Sequence, residues 1–139
     1  MSKKDLINML NQDLSAELGT IIRYNYQASK ASGPEAPSMR EMLRGEIPDE
    51  LGHATFLSDV IVDLGGEPTL KPKEFKPTEN LKDMLEQDLK LELQDVVNYK
   101  QHAQAAEALG EVELKLKLEE MAADESEHAR ELARVLRGI

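Results

Sequence analysis

A glutamate followed 33 residues later by Glu-x-x-His occurs twice in this chain, as Glu17, Glu50 and His53 and again as Glu92, Glu125 and His128. The apolar residues around these six decide whether they face solvent or a core. In the first segment Leu10, Leu14, Glu17, Ile21, Tyr24 and Ala28 succeed one another in steps of four and three, so Glu17 lies on the apolar seam of a helix. Leu85, Leu89, Glu92, Val96, Tyr99 and Ala103 repeat the pattern. Leu43, Glu50, His53, Leu57 and Leu64 share one helical face, as do Leu118, Glu125, His128, Leu132 and Val135. Six ionisable side chains therefore point inward.

The periodicity predicts helices over 3–31, 38–64, 79–108 and 111–137, with no alternating strand pattern. Ser2 with Asp5, and Ser38 with Glu41, carry the spacing of a capping box at the starts of the first and second helices. Gly33-Pro34 and Leu109-Gly110 mark short turns, so each pair of helices forms an antiparallel hairpin. Between the hairpins, residues 65–78 hold Gly65, Gly66, Pro68, Pro72 and Pro77 and no helical period. About 14 extended residues reach roughly 46 Å, enough to cross a helix of about 40 Å. The expected fold is an all-α, antiparallel four-helix bundle, one domain over 1–139, with a long crossover between helices two and three. A shift of 75 residues superposes Leu10, Asp13, Leu14, Glu17 and Tyr24 on Leu85, Asp88, Leu89, Glu92 and Tyr99, and Glu50 and His53 on Glu125 and His128. Two similar hairpins about a pseudo-twofold axis explain this repeat.

Residues equidistant from a hairpin turn lie level with each other. Glu17 and Glu50 are centred between Gly33 and Pro34, and Glu92 and Glu125 between Leu109 and Gly110. Each hairpin thus brings two carboxylates to a common level, and the twofold relation joins the two sets. Four buried carboxylates are prohibitive unless protonated or neutralised. Two divalent ions cancel their charge while neutral imidazoles add none. On this reading Glu50 and Glu125 bridge the ions, Glu17 and Glu92 are terminal ligands, and His53 and His128 each cap one ion.

Composition narrows the alternatives. Cysteine is absent, which excludes disulfides, thiolate metal sites and iron–sulfur clusters. A net charge of −10 argues against a nucleic-acid partner. Without an apolar span or leader pattern, no membrane role is expected, and a cytoplasmic location is.

The segments Asp49-Glu50-Leu51-Gly52-His53-Ala54 and Asp124-Glu125-Ser126-Glu127-His128, with Tyr24, resemble the bacterioferritin-type members of the ferritin-like superfamily over nearly the whole chain. The resemblance implies a four-helix bundle that binds two iron ions and oxidises Fe(II) with O2 or H2O2, as a ferroxidase serving iron detoxification or storage. It also implies a homo-oligomer of at least two copies. Leu51 stands where bacterioferritins carry the methionine that ligates an intersubunit haem, so haem is not expected. Eleven residues follow His128, too few for a short fifth helix, so a 24-subunit cage is not implied. Rubrerythrins share the bundle but add a cysteine-rich unit and another glutamate on the third helix, where this chain has the shorter Asp95. Alternative functions on the same donors are a rubrerythrin-like peroxidase or a manganese catalase-like enzyme. Outside enzymology the alternative is a non-catalytic metal-binding bundle acting as an interaction module.

Tyr24, the candidate catalytic residue, and Tyr99 each follow a ligand glutamate by seven residues. Their hydroxyls are expected to bond a ligand carboxylate across the bundle, and Tyr24 also to supply an electron. His102 follows Tyr99 rather than a glutamate at the third preceding position, and reads as a surface histidine. Pro48 inside helix two removes the bond to the Arg44 carbonyl, and its counterpart is Ala123.

Overall fold

In the computed structural model, which describes residues 1–139, four helices account for most of the chain: α1 (Lys3–Lys30), α2 (Ala36–Asp63), α3 (Leu81–Ala108) and α4 (Val112–Leu136). Ser2 Oγ accepts from Asp5 N at 3.1 Å and Asp5 Oδ2 accepts from Ser2 N at 2.9 Å, so the first capping box forms. The second does not. Pro37 starts the helix two residues earlier, because proline's missing N–H is harmless in a first turn. Ser38 and Glu41 then lie inside α2, and Glu35 precedes it without a side-chain cap. Asn80 caps α3 by accepting from Asp83 N. Gly33 and Gly110 adopt φ of 95° and 75° at the two tight turns, a region that side chains beyond glycine rarely tolerate.

Pairs across the bundle fix its topology. Asp13 meets His102, Glu17 meets Tyr99 and Tyr24 meets Glu92, so α1 and α3 run antiparallel. His53 meets Asp124 and His128 meets Asp49, so α2 and α4 do as well. Since α1 and α2 form a hairpin, α2 and α3 are parallel, which requires the crossover to traverse the bundle. It does so along α1. Asn11 donates to Glu67 O and accepts from Thr69 N; Ser15 donates to Lys71 O and accepts, through its carbonyl, from Lys73 N. At Gly19 a Cβ would stand 2.5 Å from Lys73 O, so only glycine admits the strap this close. Phe75 then packs edge-on against Tyr26, with ring centroids 5.8 Å apart.

Two apolar clusters lie on either side of a polar layer. Leu6, Leu10, Leu14, Leu57, Ile61, Leu114 and Leu118 dominate the larger; Leu43, Leu85, Leu132 and Met39 belong to the smaller. Each fully buried leucine contributes about 1.5–3 kcal/mol by burial. That apolar support on both sides lets the bundle carry an ionisable layer between. Ile21, Leu89, Val96, Leu64 and Val135 from the predicted seams are only half-buried. α2 continues across Pro48, which faces solvent.

Candidate metal centre

Each donor enters the layer from the middle of a helix, where backbone freedom is lowest. Glu17, Glu50, Glu92 and Glu125 are all fully buried, while His53 and His128 retain only a trace of exposure. The six form two overlapping groups, Glu17, Glu50, His53 and Glu125 and then Glu50, Glu92, Glu125 and His128. Within each group the donor atoms lie within 4.8 Å of one another. Glu50 and Glu125 belong to both. His53 Nδ1 is 3.5 Å from Glu17 Oε1 and 3.3 Å from Glu125 Oε1; His128 Nδ1 is 3.0 Å from Glu50 Oε1 and 3.6 Å from Glu125 Oε1.

Unpaired atoms test whether this cluster fits cations. Buried polar groups normally find partners, yet Glu17 Oε2, Glu92 Oε2, both carboxylate oxygens of Glu50 and of Glu125, and Nδ1 of His53 and His128 have none. All of them belong to the two converging groups. The opposite faces of the same side chains are satisfied. Tyr24 donates to Glu92 Oε1 and Tyr99 to Glu17 Oε1, each at 2.5 Å. His53 Nε2 lies 2.9 Å from Asp124 Oδ2; His128 Nε2 lies 2.5 Å from Glu46 Oε2 and 3.3 Å from Asp49 Oδ2. With Nε2 turned to these carboxylates, Nδ1 is the ring atom of each histidine that is aimed into the layer. These residues fit two oxygen- and nitrogen-ligated divalent ions.

Without metal, the layer holds protons instead. Burial, reinforced by Glu50, pushes the Glu17 carboxyl well above its usual range, and burial with Glu92 does the same for Glu125. Burial also raises Glu92, against the neighbouring Glu125 and the bond from Tyr24. Glu50 moves the other way: burial opposes its charge, but the neighbouring His128, Glu17 and Glu125 outweigh it and hold the group at about 2. His128 is its counterpart, since burial disfavours the cation but Glu46 and Glu50 push it up to about 11. Protons on Glu17, Glu125 and His128 thus offset the charge of the layer, and cations bound among these donors would displace them.

Sequence reasoning placed His102 on the surface; it is buried, with Nδ1 2.6 Å from Asp13 Oδ2. The seam Glu92, Asp95, Tyr99, His102 has steps of three, four and three, a period that the comparison with Glu-x-x-His overlooked. The expected bonds of Tyr24 and Tyr99 across the bundle are present. Asp95 is buried without joining either donor group, and burial followed by the charges of Glu92 and Glu50 raises its carboxyl to about 8. Three acidic partners of the imidazoles went unassigned: Asp49, Asp124 and Glu46. Asp49 and Asp124 had a signal, for each directly precedes a Glu-x-x-His and the 75-residue shift superposes them. Around His128 and these acids a pocket of about 150 Å³, lined also by Glu127 and Glu131, opens between α2 and α4. Its lining holds no apolar side chain, so it presents only polar groups to an incoming cation.

The sequence matches the ferritin-like domain family over residues 7–139. It is 31% identical over 126 residues to a bacterioferritin of Brucella melitensis biotype 1, a match covering 88% of this chain and 77% of that protein. It is 31% identical over 106 residues to a bacterial ferritin of Pseudomonas aeruginosa, covering 76% of this chain and 64%, under two thirds, of that protein. Among solved structures, one from Bacillus anthracis strain Ames described as ferritin-like, diiron-carboxylate superposes with a TM-score of 0.95 at 40% identity, covering 98% of this chain and 99% of that one. A bacterioferritin of Desulfovibrio desulfuricans, with a diiron site, superposes at 0.83 and 24% identity over 97% of this chain and 80% of its own, a likeness of fold alone. A dodecameric thioferritin of Bacteroides fragilis superposes at 0.87 and 23% identity over 99% of this chain and 88% of its own, again in fold alone.

Proposed function

The chain belongs to the ferritin-like domain family, and from that premise we propose that its bundle binds two Fe(II) ions in the buried layer and promotes their oxidation by O2 or H2O2. The observation that carries this reading is the set of unpartnered, buried donor atoms on Glu17, Glu50, His53, Glu92, Glu125 and His128. Glu50 and Glu125, common to both groups, would be shared between the two ions, and Glu17 with His53 and Glu92 with His128 would complete one position each. Iron supplies the electrons: two Fe(II) give one each, and O2 takes them with two protons to form H2O2, or H2O2 takes them with two protons to form water.

The chain's own residues perform the rest. Tyr99 and Tyr24 fix one oxygen of Glu17 and Glu92 respectively, so only the other is free to turn toward an ion. Asp124 holds the His53 ring, and Glu46 with Asp49 holds the His128 ring, with Nδ1 inward. Leucines on both sides keep bulk water from the layer. Tyr24, fully enclosed and bonded to Glu92, would supply the second electron where one position alone holds Fe(II), its phenolic proton passing to Glu92. All 139 residues act as one domain, and no helix is long and apolar enough to cross a membrane. The relatives named ferritin extend the reading to iron storage or detoxification by a homo-oligomer, and the Bacteroides fragilis protein is dodecameric.

Aerobic addition of Fe(II) is expected to produce a ferric absorbance band in the wild type and none above background in Glu50→Ala. Equal rates in the two proteins overturn the ferroxidase reading. Manganese on the same donors remains the competing reading, and metal analysis of the purified protein with O2 against H2O2 kinetics separates the two.

A further inference from the structure

Two buried aspartate pairs flank the layer on the α1–α3 seam and take no part in the donor groups. Asp13 Oδ2 lies 2.6 Å from His102 Nδ1, and Asp88 Oδ1 accepts from Arg23 Nε at 2.8 Å. Asp13, Asp88, Arg23 and His102 are all buried. Asp13 is one helical turn before Glu17 and His102 one turn after Tyr99, so this pair and the Tyr99–Glu17 bond are adjacent rungs between the same two helices. Asp88 is one turn before Glu92, and the Arg23 guanidinium carbon stands 5.3 Å from the ring centroid of Tyr24, the residue bonded to Glu92. Each pair thus abuts the tyrosine–glutamate rung of one position: Asp13–His102 beside Glu17, Arg23–Asp88 beside Glu92.

The 75-residue repeat makes the pairs more telling. It superposes Asp13 on Asp88, but Gln27 on His102 and Arg23 on Asn98. Gln27 is 3.5 Å from Gln87, and Asn98 accepts from Gln94 on its own helix. Gln27 also reaches Asp88, the place that His102 takes at Asp13, so the contact with Arg23 is what distinguishes the second pair. Each aspartate draws its partner from the facing helix but from different positions in the repeat, His102 on α3 for Asp13 and Arg23 on α1 for Asp88.

Building on the dinuclear reading above, we propose that Asp13–His102 and Arg23–Asp88 are positioning pairs, each serving a single metal position, and that their unlike chemistry makes the two positions unequal. The Arg23 side chain, with its planar fork, sets the height of Tyr24 against Glu92. The His102 ring does this for Tyr99 against Glu17. Losing a pair tilts one terminal carboxylate and leaves the other, together with the shared Glu50 and Glu125, in place.

Anaerobic Fe(II) titration calorimetry tests the assignment in backgrounds that leave one position intact. In Glu92→Gln, where the Glu17–His53 position remains, His102→Gln is expected to weaken Fe(II) binding about tenfold, the usual scale for a group orienting a ligand. In Glu17→Gln, where the Glu92–His128 position remains, His102→Gln is expected to change binding less than about twofold. The double variant Arg23→Gln/Asp88→Asn, which leaves no buried charge unpaired, is expected to give the reverse, and Arg23→Lys to recover part of the loss. A glutamine already occupies the position equivalent to His102, and far-UV circular dichroism is the check on folding in each variant. Equal weakening at both positions, as a general loosening of the bundle would produce, overturns the proposal, as does no weakening at either. Wild type that takes up fewer than two ions overturns the dinuclear reading itself, a result distinct from either of these.

Discussion

The α1–α2 and α3–α4 hairpins agree closely where atoms face the central layer and diverge immediately behind it. Glu17 and Glu92, Glu50 and Glu125, His53 and His128, Tyr24 and Tyr99, and Asp49 and Asp124 correspond one to one. Behind them Glu46 corresponds to Met121, Pro48 to Ala123, Thr20 to Asp95 and Arg23 to Asn98. Ligand geometry tolerates little change, because each donor atom must reach a point fixed by the others. The support behind the layer is looser: a buried aspartate needs a polar partner within reach, and more than one position on the facing helix can provide it.

The largest test of this comparison separates shared donors from private ones. Glu50→Gln and Glu125→Gln remove a group common to both positions, so each should release both ions and lower Fe(II) oxidation at least about 100-fold. Glu17→Gln and Glu92→Gln should each leave one ion bound, read by metal analysis after gel filtration. If a terminal variant empties both positions, the division into two halves is wrong.

Acidity should affect the hairpins unequally, because Asp95 has threonine as its counterpart. With its carboxyl raised by burial to about 8, Asp95 favours the folded protein while protonated, below its ordinary carboxylate range, and that contribution is lost as pH rises through about 8. Asp88, which burial raises to about 6 against the pull of Arg23, adds a smaller loss at lower pH. The melting temperature of the metal-free protein should therefore fall between pH 5 and 8, and Asp95→Asn should flatten that fall and stabilise it at pH 8 by about 2 kcal/mol. An unchanged slope in Asp95→Asn removes Asp95 as the cause.

Smaller effects reach one position each. Tyr99→Phe and Tyr24→Phe should each weaken one ion about tenfold and nearly equally, since the two bonds have the same length. Glu46→Gln should weaken only the ion on His128, by a few-fold, because Asp49 remains on the same nitrogen. Equal effects of Glu46→Gln on both ions would show that the difference behind the layer does not matter.

The bundle and the convergence of the six side chains were legible because they obey arithmetic. Helical steps placed Glu17 and Glu92 on seams, and distance from each turn placed all four glutamates at one level. What escaped depends on interactions between helices that no single helix reveals. His102 was judged by its own helix, whereas its place is set by Asp13 on α1. Arg23 looks like an exposed residue until Asp88 is packed against it, and the strap that requires Gly19 is 54 residues away in sequence, at Lys73. Ser38 failed as a cap for a local reason, because Pro37 begins a helix as readily as serine caps one. Asp49 and Asp124 were within reach, as the repeat exposed them and only their contact with the imidazoles was missing.

Anomalous diffraction at the iron edge from crystals loaded anaerobically with Fe(II) tests the central claim most directly. Two peaks between Glu50 and Glu125, one against Nδ1 of His53 and the other against Nδ1 of His128, are the predicted result. A single peak, or iron bound only at the outer Nε2 face beside Glu46 and Asp49, would contradict it.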